Sequence, residues 1–393
     1  MITKNNIPAD CKDSAVGIIP QEWEVKRLGA CFSIGHGRDY KHLSNGDIPV
    51  YGSGGIICYV GSFLHDDETV CIGRKGTINK PFYYNGPIWT VDTLFYTHSF
   101  QSVLPRYVRY LFDSIDWMRY NEATGVPSLT AKTISNIKKA VPPMEEQRKI
   151  AEILGVWDEA IEKQSRLMEK LELRKRALMQ RLLIGRTRLP GFTTPWQKVK
   201  LGEIGKFDKG VGVPKEKIVS EGCKAITYGE IYTKYDYVIK DFASYIDSDT
   251  AQTSKQISSG AILFAGSGET LEDIGKCVVF IDNDKAYAGG DIIIFNPSIE
   301  VDSLVLSYIL NSPVAIAQKR RYGQGHSVVH IYQKDLARIE FELPSLPEQK
   351  AIAKVLTTAD DEIATQRKKL DALRLQKRGL MQQLLTGKTR VKI

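Results

Sequence analysis

Several residue sets in this chain have the types that could carry chemistry, and each fails on spacing. Gly387-Lys388-Thr389 ends like a phosphate-cradling loop. That loop needs a glycine five residues before the one preceding its lysine, where Gln382 stands, and it must open a helix rather than follow one. Gly266-Ser267-Gly268 sets a serine between glycines but lacks the longer pattern of a nucleophile elbow, so it reads as a turn. Six histidines (His36, His42, His65, His98, His326, His330) are scattered without a pairing suited to a metal. Six cysteines (Cys11, Cys31, Cys58, Cys71, Cys223, Cys277) show neither a CxxC pair nor metal-ligand spacing, and read as free thiols. GxGxxG, HExxH, GxSxG and NPPY-like elements do not occur, so the sequence points away from catalysis within this chain.

Charge and repetition are what remain. The net charge of +8 over 393 residues permits nucleic-acid binding without requiring it. Basic residues are dense toward two places, Arg174 to Arg188 and Lys377 to Arg390. Those places close the two copies of a duplication: Pro142 to Leu189 reappears, without gaps, 202 residues later as Pro344 to Val391. Matches include Glu146/Glu348, Gln147/Gln349, Asp158/Asp360, Gln164/Gln366, Lys175/Lys377, Met179/Met381, Leu183/Leu385 and Gly185/Gly387.

Each copy predicts a long helix. Ile150, Leu154, Trp157, Ile161, Gln164, Met168, Leu171, Lys175, Leu178 and Leu182 step by alternating fours and threes, and the second copy keeps the step from Ile352 to Leu384. That is a coiled-coil seam. Pro143 and Pro347 suit helix starts, and Gly185 and Gly387 suit positions just past the ends. A helix of about 40 residues would be roughly 60 Å long. The polar seam residues Gln164/Gln366 and Lys175/Lys377 either fix register or, for the lysines, snorkel at the seam edge. A second apolar strip, Met179 with Leu183 and Met381 with Leu385, lies off the seam and is expected to face a partner.

A composition of 42% hydrophobic residues, with no apolar run near membrane-span length, is that of a soluble protein. The opening MITKNNIPADCKDS lacks a secretory apolar core, so a cytoplasmic protein is expected. The duplication also includes the lead-in to each globular region, IPQEWEVKRLG against TTPWQKVKLG, which aligns Trp23 with Trp196 and Gly29 with Gly202. Boundaries are therefore expected at residues 15–143, 144–188, 189–345 and 346–388. Both globular regions alternate short β-type runs with Gly-rich turns, then a helical segment, around Leu104 to Arg119 in one and Leu304 to Arg321 in the other. The fold class is α+β, with the same frame carrying different loops; Asp92 and Asp291 hold comparable places.

The helix starts PPMEEQRKIAEIL and PSLPEQKAIAKVL, the helix ends LMQRLLIGRTR and LMQQLLTGKTR, and the lead-in IPQEWEVKRLG resemble those of specificity subunits of Type I restriction–modification systems, over nearly the whole chain. The resemblance implies two target-recognition domains, each reading one half of a split double-stranded DNA site. It implies an antiparallel pair of helices that spaces them and docks two modification (methyltransferase) subunits, to which restriction subunits add. S-adenosylmethionine, ATP and Mg²⁺ would then belong to those partners. In that setting the long helices would set the gap between half-sites.

Base reading needs donors and acceptors on loops, with phosphate contacts to position them. In the first module the IGRKGTINK stretch offers Arg74, Lys75 and Lys80, with Arg38, Lys41 and Ser53 near neighbouring Gly-rich turns. In the second, Lys209, Lys215 and Lys217 surround GVGVPK, Ser267, Glu269 and Lys276 lie in AGSGETLEDIGK, and Arg320, Arg321, Gln324 and His326 lead to the last strand. For any one of these, a solvated turn residue is the alternative. Rival readings of the whole chain are the recognition subunit of a standalone modification system, a coiled-coil scaffold that does not read DNA, and a methyl-transferring enzyme that lacks any donor-binding motif.

Overall fold

The computed structural model describes residues 7–325 and 327–392. Two compact units form, Met1–Arg166 with Lys368–Ile393 and Leu167–Arg367. Each mixes strands and helices and contains one half of each long helix.

The first unit has two four-stranded sheets. One runs in the order Gly55–Val60, Asn45–Gly52, Pro87–Thr90, His65–Asp66, and the other Ser33–His36, Leu94–His98, Thr69–Gly73, Phe82–Tyr84. Thr69–Gly73 is buried along its whole length, as its apolar run TVCIG requires of a strand covered on both faces. Its core gathers Val70, Ile72 and Phe95 with Trp23, Tyr107 and Phe112. The second unit has two five-stranded sheets, one with the fully buried strands Ile262–Ala265 and Cys277–Phe280 and the other with the partly buried strands Cys223–Ile226 and Ala286–Ala288.

The expected helical segments are shorter than their apolar pattern. In the first unit the helix Pro105–Asp113 stops and a single tight turn, Trp117–Tyr120, follows. In the second, Ser303–Leu310 and Pro313–Tyr322 are separate helices. Pro313 has no N–H to continue the first helix, and the Ser312 hydroxyl caps the second by accepting from Ala315 N.

The long helices span Met144–Leu182 and Leu346–Leu384, each closed by a left-handed glycine, Gly185 (φ +67°) and Gly387 (φ +71°). In the first unit Glu146 meets Arg390 and Asp158 meets Lys377; the second number falls as the first rises, so the segments run antiparallel. The second unit gives the same result through Arg174–Glu362 and Arg188–Glu348. Ile150, Leu154, Ile352 and Leu356 are buried as seam residues should be.

The off-seam strip corrects its expectation. Leu183 and Leu385 are buried in the cores of their own units, and Met179 and Met381 pack against the same cores. Module side chains cover Leu183 and Leu385 and half-cover Met179 and Met381, so the strip serves chiefly as core.

Candidate nucleic-acid interface

The duplicated polar residues hold each module to its helices. Trp23 donates its indole N–H to Glu146 Oε2 at 2.9 Å, and Arg390 clasps the same carboxylate from Nε at 2.8 Å and Nη2 at 3.0 Å. The second unit repeats this with Trp196 and Arg188 on Glu348. Gln147 accepts from Leu104 N and donates to Pro142 O, as Gln349 accepts from Asp302 N and donates to Pro344 O. The Tyr110 hydroxyl donates to Asp158, which also pairs with Lys377; Tyr308, Asp360 and Lys175 repeat the triad. Burial, followed by the aspartate beside each hydroxyl, raises both tyrosine pKa values. Lys175 does not snorkel: it is buried, with Nζ 4.5 Å from the Tyr237 ring centre.

On this common frame, one rim of strand ends brings several candidates together. In the first unit, Arg38 N donates to Thr90 O and Arg74 N to Thr93 O. Arg74 O accepts from Leu129 N, Lys75 bridges Ser128, and Arg74 Nη1 reaches Asp92 O at 3.2 Å. Gly76 adopts φ +86°, and a Cβ there would meet Ser53 Oγ at 3.1 Å, so Ser53 sits at the same rim. Arg38 and Lys75 are exposed, Arg74 and Ser53 half-buried. Lys41 and Lys80 are exposed, but no contact joins them to this rim among the described residues.

The second unit builds the same rim with other side chains. Val211 N donates to Ala288 O, Gly266 N to Asp291 O, and Ile331 N to Gly266 O, while Ser267 pairs with His330. Val211 thus stands where Arg38 does, Gly266 for Arg74, Ser267 for Lys75 and His330 for Ser128. Lys209 is exposed beside it and shares a cleft of about 380 Å³ with Ser267 and His330.

Other candidates fall elsewhere. Ser267 is 4% exposed and its hydroxyl bonds His330 Nδ1 at 2.9 Å, which corrects the expectation of an open side chain there. Lys276 is corrected too: its ammonium donates to Tyr235 O at 2.7 Å and Tyr232 O at 3.3 Å, and burial lowers its pKa. Lys215 and Lys217 lie exposed on a short turn, Glu269 is exposed, and Arg320 pairs with Glu272 at 3.4 Å. Arg321 lines a different cleft with Lys198 and Arg338. Gln324 is exposed with its backbone paired to His330, and His326 lies outside the described residues. The sequence reading missed Ser128 and His330, although the repeat offset itself aligns them.

The family model of the Type I restriction modification DNA specificity domain matches residues 20–173 and 193–375. The chain belongs to that family, as a specificity subunit of a Type I restriction–modification system. A putative Type I restriction enzyme MjaX specificity subunit of Methanocaldococcus jannaschii is 28% identical over 431 residues, covering 97% of each chain. The MjaVIII specificity subunit of the same organism is 27% identical over 285 residues, 69% of this chain and 66% of that one. In fold, the chain is similar to the crystal structure of a Type I S subunit from M. genitalium, with TM-score 0.64 and 14% identity over 98% of both chains. It is also similar to a chain from a structural study of Type I complex assembly, with TM-score 0.57 and 16% identity over 94% of this chain and 99% of that one. No helix among the described residues is long and apolar enough to cross a membrane.

Proposed function

We infer that this chain is the non-catalytic, DNA-reading subunit of its restriction–modification complex, and that it recognises a two-part target with one half-site per module. The observation that carries this reading is the contrast between frame and rim. Glu146/Glu348, Gln147/Gln349 and Asp158/Asp360 make the same contacts twice, whereas the rim changes from Arg38, Arg74, Lys75 and Ser128 to Val211, Gly266, Ser267 and His330. A scaffold has no need to keep the frame and vary the rim. Different side chains at equivalent places suit different base edges.

The long helices offer docking surface in place of the strip that proved buried. Leu173 is 62% exposed and its repeat counterpart Leu375 is 68% exposed. Each heads an exposed helical face shared by both copies: Leu173, Arg176 and Gln180; Leu375, Arg378 and Gln382. Two like faces suit two copies of one partner, the modification subunits. S-adenosylmethionine, ATP and Mg²⁺ act on the partner subunits, and the complex works in the cytoplasm.

Genome-wide methylation mapping of cells expressing this chain with a modification subunit tests the reading. An asymmetric two-part motif with a fixed gap is expected. A continuous or palindromic motif would overturn it.

A further inference from the structure

Beside the rim of the second unit lies a cleft of about 380 Å³ lined by Lys209, Ser267, Asp291, His330, Tyr332 and Lys334. We propose that His330 is a base-reading residue of the second module, held in its reading pose by the buried hydroxyl of Ser267. The proposal rests on the half-site reading above and names the residue that does the reading.

Three features fix the imidazole. Its backbone exchanges two hydrogen bonds with Gln324, at 2.7 and 2.9 Å. Its strand pairs Ser267–Gly268, whose carbonyl at Ser267 accepts from the Tyr232 hydroxyl at 3.0 Å. Its Nδ1 lies 2.9 Å from Ser267 Oγ. This hydroxyl is buried and makes no other hydrogen bond among the described residues, so donation to Nδ1 is the arrangement we infer, the one that gives its proton an acceptor. The other ring nitrogen then carries the hydrogen. Ser267 thereby sets Nε2–H as a donor in a cleft open to solvent.

The surroundings match a major-groove base edge. Nε2–H suits an acceptor such as purine N7, guanine O6 or thymine O4, and the exposed Asp291 adds an acceptor for an exocyclic amine. Asp291 is held at φ +61°, a conformation uncommon outside glycine. Lys209 and Lys334 are exposed at the cleft for phosphate contact, and Tyr332 is 49% exposed with Lys334 Nζ 5.9 Å from its ring centre. The equivalent position in the first module is Ser128, opposite Lys75, so this position carries a different side chain in each module.

The test is the methylation motif written in cells by the chain carrying His330→Ala, together with its modification subunit. Discrimination at one base of one half-site should fall about 10-fold, with the other half-site and the gap unchanged. Ser267→Ala should blur the same base less, and His330→Gln, which keeps an N–H donor, should retain more discrimination than alanine. A motif identical to that of the unsubstituted chain would reject the assignment to His330 while leaving the two-module reading intact. Loss of the entire second half-site would make His330 a structural residue. An unsubstituted chain that writes no two-part motif would remove the DNA-reading role and His330 with it.

Discussion

Glu146 is fully buried, yet its carboxylate holds Trp23, from 123 residues earlier, and Arg390, from 244 residues later. One side chain thereby joins the lead-in segment, the start of one long helix and the segment after the end of the other. Glu348 does the same for Trp196 and Arg188.

Glu146→Ala should destabilise the first unit by about 3 kcal/mol, because it strands a buried indole N–H and a partly buried guanidinium. Trp23→Phe, which removes one donor but leaves the ion pair, should cost about 1 kcal/mol. Hydrogen exchange is the suitable readout, since it reports local opening. Protection should drop in the first unit for Glu146→Ala and in the second for Glu348→Ala. A uniform drop across both units for either substitution would show that these carboxylates do not act locally.

Much of this frame was legible from the sequence because duplication exposes it: a residue kept twice at a seam or helix start was bound to have a repeated contact. The rim was less legible. Hydrophobic periodicity places strands and helices, but it does not say which turn lies beside which, and Arg74 meets Leu129 only through tertiary pairing. Lys276 and Ser267 were chosen by type, and the fold turned both toward backbone or histidine partners. Met179 and Leu183 failed for a related reason. A helix pair taken alone leaves them exposed, and the module that covers them comes from a distant stretch of chain.

Leu173 and Leu375 provide a test of partner docking. Leu173→Glu and Leu375→Glu replace exposed side chains, so the isolated chain should melt within about 0.5 kcal/mol of the original. Each single change should weaken retention of one modification subunit, and the double change should abolish it in size-exclusion chromatography. Full retention by the double variant would place docking elsewhere.

Lys319 carries a pH dependence. It is 1% exposed, donates to Gly275 O at 2.6 Å, and burial pushes its pKa down to about 8 from 10.5. Between those values the unfolded chain holds the proton more tightly, so this group adds stability as pH rises through that window; its penalty is fully present below pH 8. Buried Cys277, raised to about 11 by burial, acts in the opposite direction at alkaline pH, which makes the difference between two proteins the useful quantity. Urea unfolding of the original chain and of Lys319→Met should show the original gaining on the variant from pH 7.5 to 9.5. A pH-independent difference would mean that Lys319 stays protonated in the fold up to pH 9.5, so that burial does not lower its pKa.

Arg74 tests the first rim as His330 tests the second. Its backbone is locked by Thr93 and Leu129, while its guanidinium makes one contact of 3.2 Å, to Asp92 O. That single neutral acceptor leaves other N–H groups of the fork to address guanine O6 and N7 or a phosphate. Arg74→Ala should therefore relax one base of the first half-site about 10-fold if it reads a base, and weaken that half-site evenly if it grips phosphate. In both cases the second half-site keeps its sequence, because Gly266 occupies the equivalent place there and brings no side chain. Methylation mapping separates the two outcomes, and equal degradation of both half-sites would show that Arg74 supports the fold instead.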